Sequence, residues 1–325
     1  MMQPILSIII PVYNVADYLD KCVHSCFDQN VDNKLYEIIL VNDGSTDNSL
    51  ELCEKLQIQY PGIKLISQEN KGLSGARNTG LKHSKGDYVW FVDSDDWIST
   101  DCLSHIIKIL NSQVEIIWLG HDVWHLGKST KNYIPRELAK PISGEDFFIN
   151  HLENQFYIWK FIYKRDFLTN NNLTFFEGIL YEDLEFTPRA LLHVKKCITI
   201  PQVCYHYLVR EGSIANNIKK KNIDHRFIIL NKLADLINNK SVSKPYKNAL
   251  SKVVLNTMTG TINMAARGRI KIPESGFKII NRVKKGIIFD ANASITIKII
   301  KNAPVIYYNV YKNIYKLYKV LPLKK

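Results

Sequence analysis

The sequence predicts an α/β protein with a mostly parallel, doubly wound sheet and a helical, basic C-terminal region. Three observations lead there. Strand-length apolar runs alternate with helical stretches from the start of the chain. Two of those runs end in carboxylates, at Asp43 and Asp93. Charge also divides along the chain: residues 1–120 hold 9 basic and 16 acidic side chains, residues 121–215 hold 11 of each, and residues 216–325 hold 23 basic against 4 acidic.

Taken in order, residues 6–10 read as a strand, 16–27 as a helix, 37–41 as a strand and 47–59 as a helix. Then come a strand at 64–67, a helix at 74–83, a strand at 88–92, a helix at 100–111 and an apolar run at 115–120. This β-α-β order is expected to give adjacent parallel strands joined by crossover helices. Ser45 is placed to cap the second helix, with Asp47 in its first turn. From 121 to 215 the pattern loosens into short aromatic-rich segments, with a helix expected at 186–193. Beyond 216 the chain is rich in Lys, Asn and Ile and reads as helical. Two domains are therefore expected, 1–215 and 216–325. A last helix at 305–321 carries Tyr308, Tyr311, Tyr315 and Tyr318 on one face, with lysines largely elsewhere. That is a basic amphipathic pattern suited to a membrane surface, to the protein's own core or to a second copy.

At 325 residues, 46% hydrophobic and 23% charged, the chain has the composition of a globular protein. Six scattered cysteines form no CxxC pair, which points to a reduced, cytoplasmic setting. The apolar start at 5–12 lacks a basic flank and ends at Pro11, so it does not read as a signal peptide. No apolar run reaches membrane-spanning length. The net charge of +12 favours an anionic surface as partner. No nucleic-acid recognition motif is present, so no nucleic-acid partner is expected.

The chemistry concentrates at strand ends, where open α/β sheets bind ligands. Asp93, Asp95 and Asp96 repel one another unless a cation or a donor-rich ligand is near. A hard divalent ion bridging substrate phosphates is the economical occupant, and a solvated acidic turn is the alternative. Asp43, just before Gly44, can accept from the N–H of a planar base, or can simply make a turn. Residues 70–78 form a glycine-punctuated loop leading into a helix. Its N–H groups and Arg77 suit a phosphate or nucleotide, or only cap the helix. Pro11-Val12-Tyr13-Asn14 offers either a ring for base stacking or a core residue.

Together, these segments resemble the family 2 glycosyltransferases of bacterial surface-polysaccharide type, which have the GT-A nucleotide-sugar-binding fold. The resemblance runs through Ser7–Asn14, Val41–Asp47, Asn70–Gly80, Asp93–Asp96, Tyr157–Lys160, Tyr181–Phe186 and Tyr205–Ile214. It implies that Pro11, Tyr13 and Asp43 hold the nucleotide base, usually uracil. Arg77 would help fix the nucleotide, Asp93 and Ser94 would lie near the ribose, and Asp95 would reach the diphosphate through Mn²⁺ or Mg²⁺. Asp183 would be the catalytic base, with Glu182 beside it as an acceptor contact. Arg210 and Ser213 would belong to a loop over the diphosphate, although Leu208 stands where a basic residue is common. His206 is a candidate second metal ligand, in a place a tyrosine often takes.

The activity implied is inverting transfer of a hexosyl or N-acetylhexosaminyl group from a UDP-sugar to a hydroxyl of a lipid-linked glycan. The enzyme would be cytoplasmic, or peripheral on the inner face of the membrane. Inverting transfer needs one base and no covalent nucleophile, which agrees with the residue types present. Two other readings compete. A nucleotidyltransferase would want a basic, glycine-rich loop after the first strand, where this chain has Pro11-Val12-Tyr13-Asn14. A non-catalytic sugar-nucleotide or polymer-binding scaffold would have no use for Asp43, Asp95 and Asp183 together.

Overall fold

The computed structural model describes residues 3–110, 114–210, 218–286, 304–305, 307–309 and 311–312. The chain divides into two compact units. One comprises Met1–Phe147 with Gln155–Arg210; the other comprises Phe148–Asn154 with Glu211–Lys325. The division at Arg210 lies close to the one expected at 215. That the Phe148–Asn154 segment goes with the second unit is marked by no shift in composition.

The first unit opens with β1 (Leu6–Val12), α1 (Ala16–Phe27), β2 (Tyr36–Asp43), α2 (Ser49–Gln59), β3 (Ile63–Gln68), α3 (Gly72–His83) and β4 (Tyr88–Phe91). It continues through β5 (Trp97–Ile98), α4 (Cys102–Leu110), β6 (Ile116–His125), β7 (Lys128–Tyr133) and the start of α5 (Gly144–Asn150), whose residues from Phe148 on belong to the second unit. The last elements are β8 (Phe161–Lys164), α6 (Arg165–Asn170), α7 (Asp183–Leu191) and β9 (Cys197–Leu208).

Among the described residues the strands form one sheet in the order β3-β2-β1-β4-β8-β6-β9-β5, with β7 paired to β6. The β3-β2-β1-β4 half is parallel throughout. Every residue of β1 is buried, as expected for a strand covered on both faces. Chain order reverses across β1, with β2 on one side and β4 on the other. That is the switch point at which α/β sheets bind ligands beyond their strand ends. The second half is mixed: β8 runs antiparallel to β4 and β6, while β9 runs parallel to β6. That mixing arises in the region where the sequence pattern loosens.

Close approach of α3 to the sheet requires glycine. A Cβ at Gly80 would lie 2.3 Å from Ile9 Cγ2. The helix therefore sits directly over β1, which brings Arg77 to the ends of the central strands.

The second unit contains α8 (Lys220–Asn238), α9 (Lys244–Arg267) and α10 (Glu274–Gly286). Ser243 caps α9 by accepting from Tyr246 N at 3.2 Å. The described tyrosines of the expected surface helix bond within their own unit. Tyr308 is 6% exposed and its hydroxyl donates to Ile270 O at 3.0 Å. Tyr307 Oη donates to Asn263 Oδ1 at 2.9 Å, and Arg267 donates to Tyr311 Oη at 3.1 Å. The described rings are held by contacts within their own unit. Tyr315 and Tyr318 lie outside the described residues. Among the described residues no helix is long and apolar enough to cross a membrane.

Candidate active site

Two turns at the sheet's C-terminal edge are knitted together by Asn14, which sits at a left-handed φ of 52°. Its Oδ1 accepts from Thr46 N at 2.8 Å, its Nδ2 donates to Thr46 Oγ1, and its backbone N–H donates to Ser45 Oγ. Ser45 therefore serves the β1–α1 turn instead of capping α2, whose Ser49 N–H donates to Asp47 Oδ1. The knot fixes Tyr13, 49% exposed, beside the end of β2, while Pro11 is buried beneath it.

Asp43 ends β2 and is 2% exposed. Its Oδ1 accepts from Gln68 Nε2 at 2.6 Å and from Lys71 N at 2.9 Å. Both of these bonds use Oδ1, which leaves Oδ2 as an acceptor for a donor such as a base N–H. Gly44 follows at φ 70°, and a Cβ there would meet Asn70 N at 2.9 Å. The Asp-Gly pair thus makes both the turn and the acceptor.

Arg77 lies within the protein, 2% exposed. It donates to Glu182 Oε1 at 2.5 Å and to Asp93 Oδ1 at 2.7 Å. Burial works against its charge, yet Asp93 and Glu182 outweigh it and hold the guanidinium protonated. The guanidinium donates to two carboxylates and so ties the acidic turn after β4 to the start of α7. Glu182, expected as an acceptor contact, is buried, and its Oε1 is bound by Arg77.

The acidic turn follows β4. Burial raises the Asp93 carboxyl, with Arg77 opposing it. Ser94 is buried. Asp96 points inward: Oδ2 accepts from Tyr205 Oη at 2.6 Å and Oδ1 from Leu208 N at 2.7 Å. Burial pushes its pKa well up. Tyr205 Oη also accepts from Asp93 N at 3.1 Å, so one hydroxyl ties both ends of the turn. Asp95 is left facing outward and accepts from Arg210 Nε at 2.7 Å. The guanidinium of Arg210 also lies 5.0 Å from the Tyr18 ring centroid.

Asp183 opens α7. It follows Tyr181, whose φ of 64° is costly for a bulky side chain and turns the chain sharply into the helix. Burial, then the neighbouring Glu182, pushes the Asp183 carboxyl up to about 7. A carboxylate tuned to that range can take a proton near neutral pH.

His206, the candidate second metal ligand, is held by its protein neighbours. Its Nδ1 lies 2.6 Å from Asp122 Oδ1 and its Nε2 lies 2.9 Å from Ser99 Oγ. The ring stacks on Trp97 with centroids 5.2 Å apart. Both nitrogens are therefore engaged. Ser213 lies outside the described residues. Among the described residues no group of three or more His, Cys, Asp or Glu could hold a metal. The donors present, Asp95 with Asp93 behind it, are oxygen only. That set suits Mg²⁺ or Mn²⁺ shared with a diphosphate and water, not an all-protein cage.

Fold and site together define a glycosyltransferase. The family model for glycosyl transferase family 2 matches residues 7–175, and the chain belongs to that family. It is 33% identical over 233 residues to the uncharacterized glycosyltransferase EpsJ of Bacillus subtilis (strain 168), covering 69% of this chain and 66% of that protein. The chain thus spans about two thirds of that relative's length. Among solved structures, S. aureus TarS 1-349 in complex with UDP-GlcNAc aligns with a TM-score of 0.75 and 20% identity, over 98% of this chain and 92% of that one. The mannosyltransferase PcManGT from Pyrobaculum calidifontis, in complex with GDP-Man and Mn²⁺, aligns at 0.56 with 16% identity, over 100% and 89%. These structural likenesses establish the GT-A fold.

Proposed function

We propose that the chain is an inverting glycosyltransferase that moves a sugar from a UDP-sugar to a hydroxyl of a lipid-linked glycan during surface-polysaccharide synthesis. The observation that carries this reading is the Arg77 bridge. One buried guanidinium holds Asp93, at the donor end of the sheet, and Glu182, next to Asp183, as a single rigid unit. Donor acids and base are thereby set in fixed register, and such positioning is a large part of what a transferase contributes.

In this reading the uracil stacks on Tyr13 and donates its N3–H to Asp43 Oδ2. Asp93 and Ser94 lie beside the ribose. Asp95, with the diphosphate, would hold Mn²⁺ or Mg²⁺, which would supply positive charge against the departing UDP. Asp183 takes the proton of the acceptor hydroxyl as that oxygen attacks C1 from the opposite face, and the C1–O bond to UDP breaks. Arg210 leaves Asp95 and turns its donors to the diphosphate. Preference for UDP draws support from the UDP-GlcNAc held by the TarS structure. The lysine-rich second unit would bring the enzyme to anionic lipid on the inner membrane face, through its charge and not through the tyrosine stripe.

The test is a panel of UDP- and GDP-sugars, each incubated with purified protein with and without Mn²⁺. Metal-dependent release of UDP supports the reading. No nucleotide release from any donor, together with no UDP binding, contradicts it.

A further inference from the structure

An aromatic stack on the first unit has no place in the donor chemistry above. The rings of Tyr157 and Trp159 lie 5.1 Å apart at 10°, those of Trp159 and Tyr207 5.7 Å apart at 13°, and those of Trp159 and Tyr205 4.3 Å apart at 6°. All four planes are close to parallel. The inner layer is locked. Trp159 is buried and its carbonyl accepts from Trp90 Nε1 at 2.8 Å, while Tyr205 is tied to Asp93 and Asp96. The outer layer is open: Tyr157 is 44% exposed and Tyr207 is partly exposed. A large ring held in plane by a buried stack, with its outer face in water, is a poor use of apolar surface unless something covers it.

The stack lies beside the candidate base. Thr187 Oγ1, one helical turn beyond Asp183, donates to Phe156 O at 2.7 Å and pins the Tyr157 segment to the start of α7. The electrostatics agree, since burial and then the Asp183 charge raise the Tyr157 phenol. Leu208 N, bonded to Asp96, fixes the other end next to Tyr207.

We propose that Tyr157 and Tyr207, backed by Trp159, form a platform that binds the apolar C–H face of a pyranose ring in the acceptor. This rests on the glycosyltransferase reading and deepens it by naming the acceptor's chemistry. A pyranose presents a flat patch of axial C–H groups to an aromatic plane while its hydroxyls radiate from the rim. One rim hydroxyl can then reach Asp183. An open-chain polyol has no such face and gains little from the platform. The ring belongs to the acceptor because the base must touch the attacking hydroxyl, whereas the donor's diphosphate would be held at Asp95 through a divalent ion.

The experiment is saturation-transfer NMR on the full chain saturated with UDP. The probes are methyl α- and β-pyranosides of glucose, galactose and N-acetylglucosamine, with ribitol as the open-chain control. The expected result is strong saturation of the axial ring protons of at least one pyranoside and little saturation of ribitol. Tyr157→Ala should weaken that pyranoside about tenfold, the order expected for losing one apolar ring contact, and Tyr157→Phe should keep it. UDP affinity, read by calorimetry, should stay the same in both variants. Equal saturation of ribitol, no pyranoside signal while UDP binds, or an unchanged signal in Tyr157→Ala would each overturn the platform alone. Failure to bind UDP would count against the glycosyltransferase reading itself. The proton map of the unaltered protein holds whether or not the variants fold.

Discussion

Arg210 donates from Nε to Asp95 Oδ2 at 2.7 Å, so the outward acid of the Asp93–Asp96 turn already has a cation beside it. Both side chains are about a quarter exposed, and the pair is accordingly a modest one. A divalent ion at Asp95 would compete with this pair, and a freed guanidinium would then be available to the diphosphate.

Arg210→Ala should therefore tighten Mn²⁺ binding to the nucleotide-free protein by about two- to fivefold, the size of a partly exposed ion pair. The same variant should bind UDP more weakly in saturating Mn²⁺. Calorimetry of metal alone, then of UDP with metal, reads both. Weaker metal binding without nucleotide would show that Arg210 does not compete for Asp95.

Arg77 holds two buried carboxylates, and its removal leaves both uncompensated. Arg77→Met should cost about 3–5 kcal/mol of stability, the range for breaking a buried pair by removing one partner. Arg77→Lys should rescue little, because one ammonium cannot span Glu182 and Asp93 with a planar fork. Urea unfolding monitored by far-UV circular dichroism gives the comparison. A lysine variant as stable as the parent would reject the bridging role.

Tyr308 belongs to the core of the second unit. Tyr308→Ala should lower Tm by roughly 3–8 °C, as expected for losing a buried ring and its hydrogen bond. Flotation on anionic vesicles should be unaffected. Loss of vesicle binding at unchanged Tm would restore the membrane role for this face.

Much of the donor half was legible because its signals are local. Apolar strands end in Asp43 and Asp93, Gly44 follows at once, and Glu182-Asp183 stands at a helix start. The roles of buried partners were not legible. Tyr205 reaches Asp96 across 109 positions and Arg77 reaches Glu182 across 105, separations that no periodicity encodes. The surroundings of His206 were not legible for a related reason: its partners Asp122 and Ser99 lie 84 and 107 positions away. The tyrosine stripe at 305–321 gave a helical period but no indication of what covers it.

The raised carboxyl of Asp183 has a consequence for stability. Its folded pKa of about 7 exceeds the ordinary value of 3.8, so the folded state binds the extra proton between those values. The associated stability is fully present below pH 3.8 and is lost as pH rises through about 7. Asp183→Asn removes that loss. The Tm of the variant relative to the parent should rise between pH 5 and pH 8 by roughly 2–6 °C. A difference independent of pH would mean that Asp183 is ionised well below neutrality.

The most direct measurement of the account is sugar transfer by Asp183→Asn, using whichever UDP-sugar the parent protein hydrolyses fastest. The account expects UDP affinity within about twofold of the parent. Turnover should fall by a factor on the order of 10²–10⁴, the usual contribution of a general base. The acid limb near pH 7 in the parent's rate profile should also vanish from the residual activity. Near-parental turnover with an unchanged pH profile would contradict the assignment of Asp183 as the base.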